Sequence, residues 1–215
     1  PPYGTHDGRR PGGGPHTQDR RCWMHDLWPY VEQTAPYEQF TEHMDTGASA
    51  LAFPQLATVI PTAMCPSDPL SPKLHTFWGG LNNLPTQGFS GNYFRNAGSV
   101  YCNRTADGQV GLKASLEVDG VIFAVSRVSV GDITDGTSST AVLSELILVE
   151  DVDSHDIRGR YHNPAHGGVL FTTLNPPNAP QPDIFNWCSH DPPPQAPCLQ
   201  SAFGMQVAAR SYHAG

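Results

Sequence analysis

Ten histidines occur in this 215-residue chain, and His155, His162 and His166 lie in one stretch with Asp151, Asp153 and Asp156. Imidazole nitrogens suit zinc and other borderline metals, whereas carboxylates suit calcium. His162 and His166 stand four residues apart, but Asn163-Pro164 between them resists a regular helix, so the two-histidine face of a zincin does not follow. The acidic run "EDVDSHD" offers hard oxygen donors to calcium. It lacks the spaced Asp/Asn, the Gly and the terminal Glu of an EF-hand loop. Surface histidines and a solvated acidic loop are therefore the preferred readings. If a divalent cation is held, the order is calcium near 150–156 before zinc on cysteine, with His155, His162 and His166 as the alternative ligand set.

The five cysteines, Cys22, Cys65, Cys102, Cys188 and Cys198, form no C-x-x-C pair. The segment "WCSHDPPPQAPC" sets Cys188 and Cys198 at the ends of a Pro-rich loop too polar to pack itself, which predicts a local disulfide and an exported location. Cys65, before Pro66, is read as bridged, for instance to Cys102 or Cys22, in preference to a reactive thiol. "GTSST" lacks the second glycine of a nucleophile elbow, which argues against a serine hydrolase. A carboxylate pair for glycoside hydrolysis is defined by separation in space and stays open. Tyr161 and Trp187, with Trp78 and Phe185, stand in Gly- and Pro-rich loops where aromatic rings can stack on a polysaccharide, although such rings more often pack. Asn103-Arg104-Thr105 is a glycosylation-type triplet. Glu145, alone in the apolar run 141–149, is read as a structural carboxylate satisfied by backbone or an arginine in preference to a catalytic or metal role.

These side chains need a scaffold. With 21 Gly, 21 Pro and 15% charged residues, loops should dominate. A formal charge of −8 with 12 scattered Lys and Arg argues against a nucleic-acid partner. No apolar run reaches membrane-spanning length. Residues 1–21 read as a flexible lead-in with the look of the interior of a longer protein, and 22–215 as a single domain. Trp23, Leu27, Tyr30 and Val31 recur at helical spacing, which predicts a short helix or helix pair over 24–40. Strand alternation appears in "SGNYFRNAGSVYCN", a strand pair should turn at Asp119-Gly120, and the run after Asp135-Gly136 supplies a further strand. From 151 to 205 the pattern dissolves into Pro, Asn, His and Asp, and this stretch is expected to be a surface excursion that carries recognition and is dispensable to the sheet.

Six fragments occur in a meaningful order: "LWPYVEQ" at 27–33, "CPSDP" at 65–69, "GNYFRNAG" at 91–98, "DGVIF" at 119–123, "ITDGTSSTAVLSE" at 133–145 and "ARSYHAG" at 209–215. In them the chain resembles the planctomycete prepilin-like exported family known as domain of unknown function 1559, whose members resemble type II secretion pseudopilins. The resemblance implies an α+β, pilin-like globular head with an antiparallel sheet, a short helical segment and long loops. It also implies an extracellular or cell-surface structural protein that associates with itself or with other pilin-like subunits, and a calcium in a C-terminal loop. The family's N-terminal helix, its route to the membrane, is absent here, and its terminal motif stops after His213. The family carries no established reaction, so the chain is read as more structural than enzymatic. The alternative is an extracellular polysaccharide-binding or hydrolytic protein with a loop-built site at 151–200.

Overall fold

The computed structural model describes residues 21–48, 50–74, 76–78, 81–84, 88–99, 102–103, 119–122, 128–152, 154–164, 168–201 and 204–213. The lead-in at 1–20 and most of both arms of the expected strand pair around Asp119-Gly120 lie outside these residues.

The chain enters through a capped helix. Cys22 Sγ accepts the Met24 N–H at 3.4 Å, and the Cys22 N–H donates to His25 Nδ1 at 3.0 Å, so two amides of the first turn have partners. Helix α1 (Trp23–Leu27) runs into a 3-10 turn (Trp28–Val31) that carries a proline in its first positions, where the missing N–H costs least. Glu32 then adopts a left-handed conformation, φ 61°, which breaks the helix before α2 (Thr34–Asp45) begins. The pair buries Trp23, Trp28, Phe40 and Met44 in a core shared with Phe89 and Tyr161.

The strands are short: β1 (Thr76–Trp78), β2 (Leu81–Leu84), β3 (Tyr93–Asn96), β4 (Cys102–Asn103), β5 (Leu143–Glu145), β6 (Leu170–Phe171), β7 (Asp183–Phe185), β8 (Cys198–Gln200) and β9 (Gly204–Met205). Strand β3 is central. It pairs antiparallel with β5 in the register Tyr93↔Glu145 and Arg95↔Leu143, and parallel with β6 through Arg95↔Leu170 and Asn96↔Phe171. Strands β1–β2 and β4–β9 pair antiparallel, and β7–β8 pair parallel. The fold is α+β as expected, with antiparallel pairing at β1–β2, β3–β5 and β4–β9 and parallel pairing at β3–β6 and β7–β8.

The stretch 151–205 is not a surface excursion. It supplies β6 to the central sheet, and Ile157, Tyr161, Val169, Leu170, Phe171 and Phe185 to the two main apolar cores. Its backbone also meets the sheet closely. The Gly91 N–H donates to Gly159 O at 3.0 Å, and a Cβ on Gly159, whose φ is +77°, would run into the Gly91 carbonyl oxygen. Only glycine satisfies both the left-handed backbone and that approach.

Candidate functional site

The carboxylates expected to hold calcium are tied to internal cations. Lys73 Nζ meets Asp151 Oδ1 at 2.6 Å and the Val149 carbonyl at 2.6 Å, while Arg160 meets Asp151 Oδ2 at 2.9 Å. Arg158 grips Asp156 with two parallel bonds, Nε to Oδ1 at 2.8 Å and Nη2 to Oδ2 at 2.7 Å, and both side chains are wholly buried. Burial alone would raise the Asp156 pKa. The Arg158 charge and its hydrogen bonds outweigh burial and hold the carboxyl down at about 2. The Ser189 N–H and Arg158 N–H also donate to this carboxylate, so Asp156 ties its own turn to the loop at Ser189. Asp183 repeats the device by accepting Arg210 Nε at 2.7 Å and the Ala208 N–H at 2.9 Å. These ions replace, in a loop-rich region, hydrogen bonds that longer strands would have made.

The two described members of the histidine set, His155 and His162, pack in different surroundings. His162 lies in the aromatic core with its Nδ1 3.3 Å from His25 Nε2, stacked against Phe53 and edge-on to Phe40. Burial lowers its pKa to about 3, and burial together with the neighbouring His162 and Arg21 lowers that of His25 well below its ordinary value. Both rings are therefore neutral near pH 7, one donating to the other. His155 packs against Trp187 instead, at 4.9 Å between ring centroids, and burial helped by the Arg160 charge depresses it to about 4. Asp153 and His166 lie outside the described residues, as does the Asn103 side chain. Tyr161 is a core residue: its hydroxyl accepts the Tyr93 N–H at 3.2 Å and donates to Tyr93 O at 3.1 Å, pinning the start of β3. Phe185 is also buried and Trp187 is half-buried, while the Trp78 side chain lies outside the described residues.

Cys188 and Cys198 are joined by a disulfide, while Cys22 and Cys65 are free thiols, which corrects the expected bridge at Cys65. Burial drives the Cys22 thiol up to about 12, so it is a core residue without acid–base use. Cys65 is different. Its sulfur lies 3.3 Å from His213 Nε2, and that nitrogen lies 3.7 Å from Glu145 Oε1. One donor atom from each of the three residues falls within 4.8 Å of the other two, and this is the one such set among the described residues.

Each member is aimed by its own element. The Cys65 N–H donates to Asn92 Oδ1 at 2.9 Å, and Asn92 Nδ2 donates in turn to Asp68 Oδ2 at 2.6 Å and Leu146 O at 3.1 Å. Asp68 Oδ2 also takes the Leu148 N–H at 2.8 Å, so the turn after Cys65 is locked to the residues just before β3 and just after β5. Glu145 ends β5. Its Oε2 accepts the Ser211 hydroxyl, the His213 N–H donates to Ser211 Oγ at 3.0 Å, and the Arg210 N–H donates to Glu145 O at 3.0 Å. Four of the fragments that carried the family resemblance thus meet here: "CPSDP" brings Cys65 and Asp68, "GNYFRNAG" Asn92, "ITDGTSSTAVLSE" Glu145, and "ARSYHAG" Arg210, Ser211 and His213. Sequence reading treated Glu145 as structural and passed over His213. The only signal for either was its place in those fragments.

A thiol–imidazole–carboxylate relay places the thiol and the carboxylate on opposite ring nitrogens. Here both face Nε2, an arrangement that converges three lone pairs on a point and does not pass a proton along a line.

Comparison with known families gives a match over residues 1–215 to the family described as "Protein of unknown function (DUF1559)", and the chain belongs to it. No curated protein and no solved structure matches.

Proposed function

We propose that this member of the DUF1559 family is the head of a pseudopilin-like structural subunit, exported to the cell surface, where copies of it pack into a fibre or secretion-related pseudopilus. The observation that carries this reading is the segment leading into β5. Val128, Val130, Val142 and Leu143 are all exposed there, Val130 at 73% and Leu143 at 42%. Single exposed apolar residues are ordinary, but four on one segment that ends in the edge strand of the central sheet suit an interface. The Arg210 N–H covers the outer edge of β5 at Glu145, while Leu143 has no backbone partner on that side among the described residues.

The rest of the head agrees with a structural role. Asp156 and Asp183 are buried against arginine, Trp23, Trp28, Phe40, Phe89 and Tyr161 pack in the core, and a disulfide closes the Pro-rich loop, as befits an oxidising compartment. Among the described residues no helix is long and apolar enough to cross a membrane, and in this reading membrane contact belongs to an N-terminal helix of the family pattern. Sedimentation velocity of the full chain over a concentration series tests self-association. Sedimentation coefficients should rise with concentration and stay monomeric in L143D; a wild-type chain that remains monomeric throughout would count against the reading.

A further inference from the structure

We propose that Cys65, Glu145 and His213 form a zinc site that clasps the C-terminal segment to the central sheet. The donors are one thiolate sulfur, one imidazole nitrogen and one carboxylate oxygen, a set that zinc takes in tetrahedral geometry and calcium does not. Bond lengths of about 2.3 Å to sulfur and about 2.0 Å to nitrogen and oxygen put tetrahedral donor atoms about 3.3–3.6 Å apart. The observed separations are 3.3 Å from sulfur to nitrogen and 3.7 Å from nitrogen to oxygen, with sulfur and oxygen within 4.8 Å, so closing on the ion draws the carboxylate toward the sulfur.

Each of the three ligands has a supporting bond, that of His213 running from its N–H to Ser211 Oγ. Ser211 holds Glu145 Oε2 and leaves Oε1 facing His213, the outer-shell orientation that ligating carboxylates require. Cys65 is buried and fixed through Asn92, whereas the His213 and Glu145 side chains are 52% and 25% exposed, so the ion has a path from solvent and water completes the fourth position. On binding, Zn²⁺ gains the Cys65 sulfur as thiolate and the thiol proton leaves to solvent, so affinity falls as pH falls. Zinc thereby connects the turn after α2 and its loops, strand β5 and the last described residues, with Cys65 and His213 148 positions apart in sequence.

The test uses the purified full chain, stripped with chelator and titrated with Co²⁺ and then Zn²⁺. Co²⁺ should bind one to one with sulfur-to-cobalt charge-transfer absorption, Zn²⁺ should displace it, and Zn²⁺ should raise Tm. C65S should abolish the charge-transfer band, H213A should weaken zinc by tenfold or more, and S211A, through the carboxylate, by about tenfold to a hundredfold. H190Q, on the surface, should bind as wild type. C65S preserves the size of the side chain and H213 is half-exposed, so folding of both, checked by circular dichroism, is expected. Zinc binding unchanged in C65S and H213A, or Co²⁺ binding without a sulfur band, would overturn the site. Rapid alkylation of Cys65 that zinc does not slow would do the same and point to a free reactive thiol.

Discussion

Replacing Arg158 by methionine removes a guanidinium that is wholly buried against Asp156 and leaves a similar volume of apolar side chain. The carboxylate that remains is also wholly buried. Breaking such a pair from one side costs about 3–5 kcal/mol, because the surviving charge is neither paired nor hydrated. Two features of this site adjust that range. The Arg158 N–H and Ser189 N–H still reach Asp156, which softens the loss, while the Ala196 carbonyl loses the Arg158 Nη1 bond at 2.9 Å, which adds about 1 kcal/mol. The expected destabilisation is about 3–4 kcal/mol, a large part of the 5–15 kcal/mol available to a typical domain. Urea unfolding followed by tryptophan fluorescence reads it directly. The pH dependence adds a second check. With Arg158 present, the Asp156 pKa is below its ordinary 3.8, so its contribution is complete above 3.8 and is lost as pH falls through about 2. In R158M the carboxyl pKa should rise, and the acid limb of the stability profile should move to higher pH. A loss below about 1 kcal/mol with an unmoved acid limb would show that the region 151–205 is hydrated and loosely attached.

Three further outcomes follow from the same geometry. His25 and His162 are buried neutral with folded pKa values below the ordinary 6.5, so their contribution is complete above 6.5 and stability should decline as pH falls toward 3; urea midpoints across that window should show the slope, shallower in H162Q. Tyr161→Phe deletes the hydroxyl that bridges Tyr93 N–H and C=O, and should cost about 1–3 kcal/mol in the same unfolding assay, with an unchanged circular-dichroism spectrum. Excising 151–205 in favour of a short Gly/Ser linker should abolish cooperative unfolding, since β6 and both cores lose members.

The helix pair was legible because Trp23, Leu27 and Val31 keep helical spacing and Pro29 falls where a helix can begin anew. Strand β5 was legible too, since its apolar run follows a turn dipeptide. Strand β6 was not: Leu170–Phe171 is two residues long, and its partner β3 lies far upstream in parallel register, so no local alternation marks it. The same distance explains the misplaced calcium set. Sequence displays Asp151 and Asp156 as a local acidic run, while Lys73, which satisfies Asp151, stands 78 residues earlier. Buried carboxylates and solvated ones have one spelling; only the cation's position separates them. Cys65, Glu145 and His213 were hidden for that reason as well, each an isolated residue whose spacing carries no metal pattern.

The claim that this head packs against copies of itself through the β5 face is tested most directly on cells. Full-length protein carrying L143C, compared with E38C on exposed α2, is exposed to oxidant at the cell surface and run on non-reducing gels. L143C should give covalent dimers between subunits and E38C should remain monomeric; monomer alone in both, at expression equal to wild type, would remove the β5 face as an assembly surface.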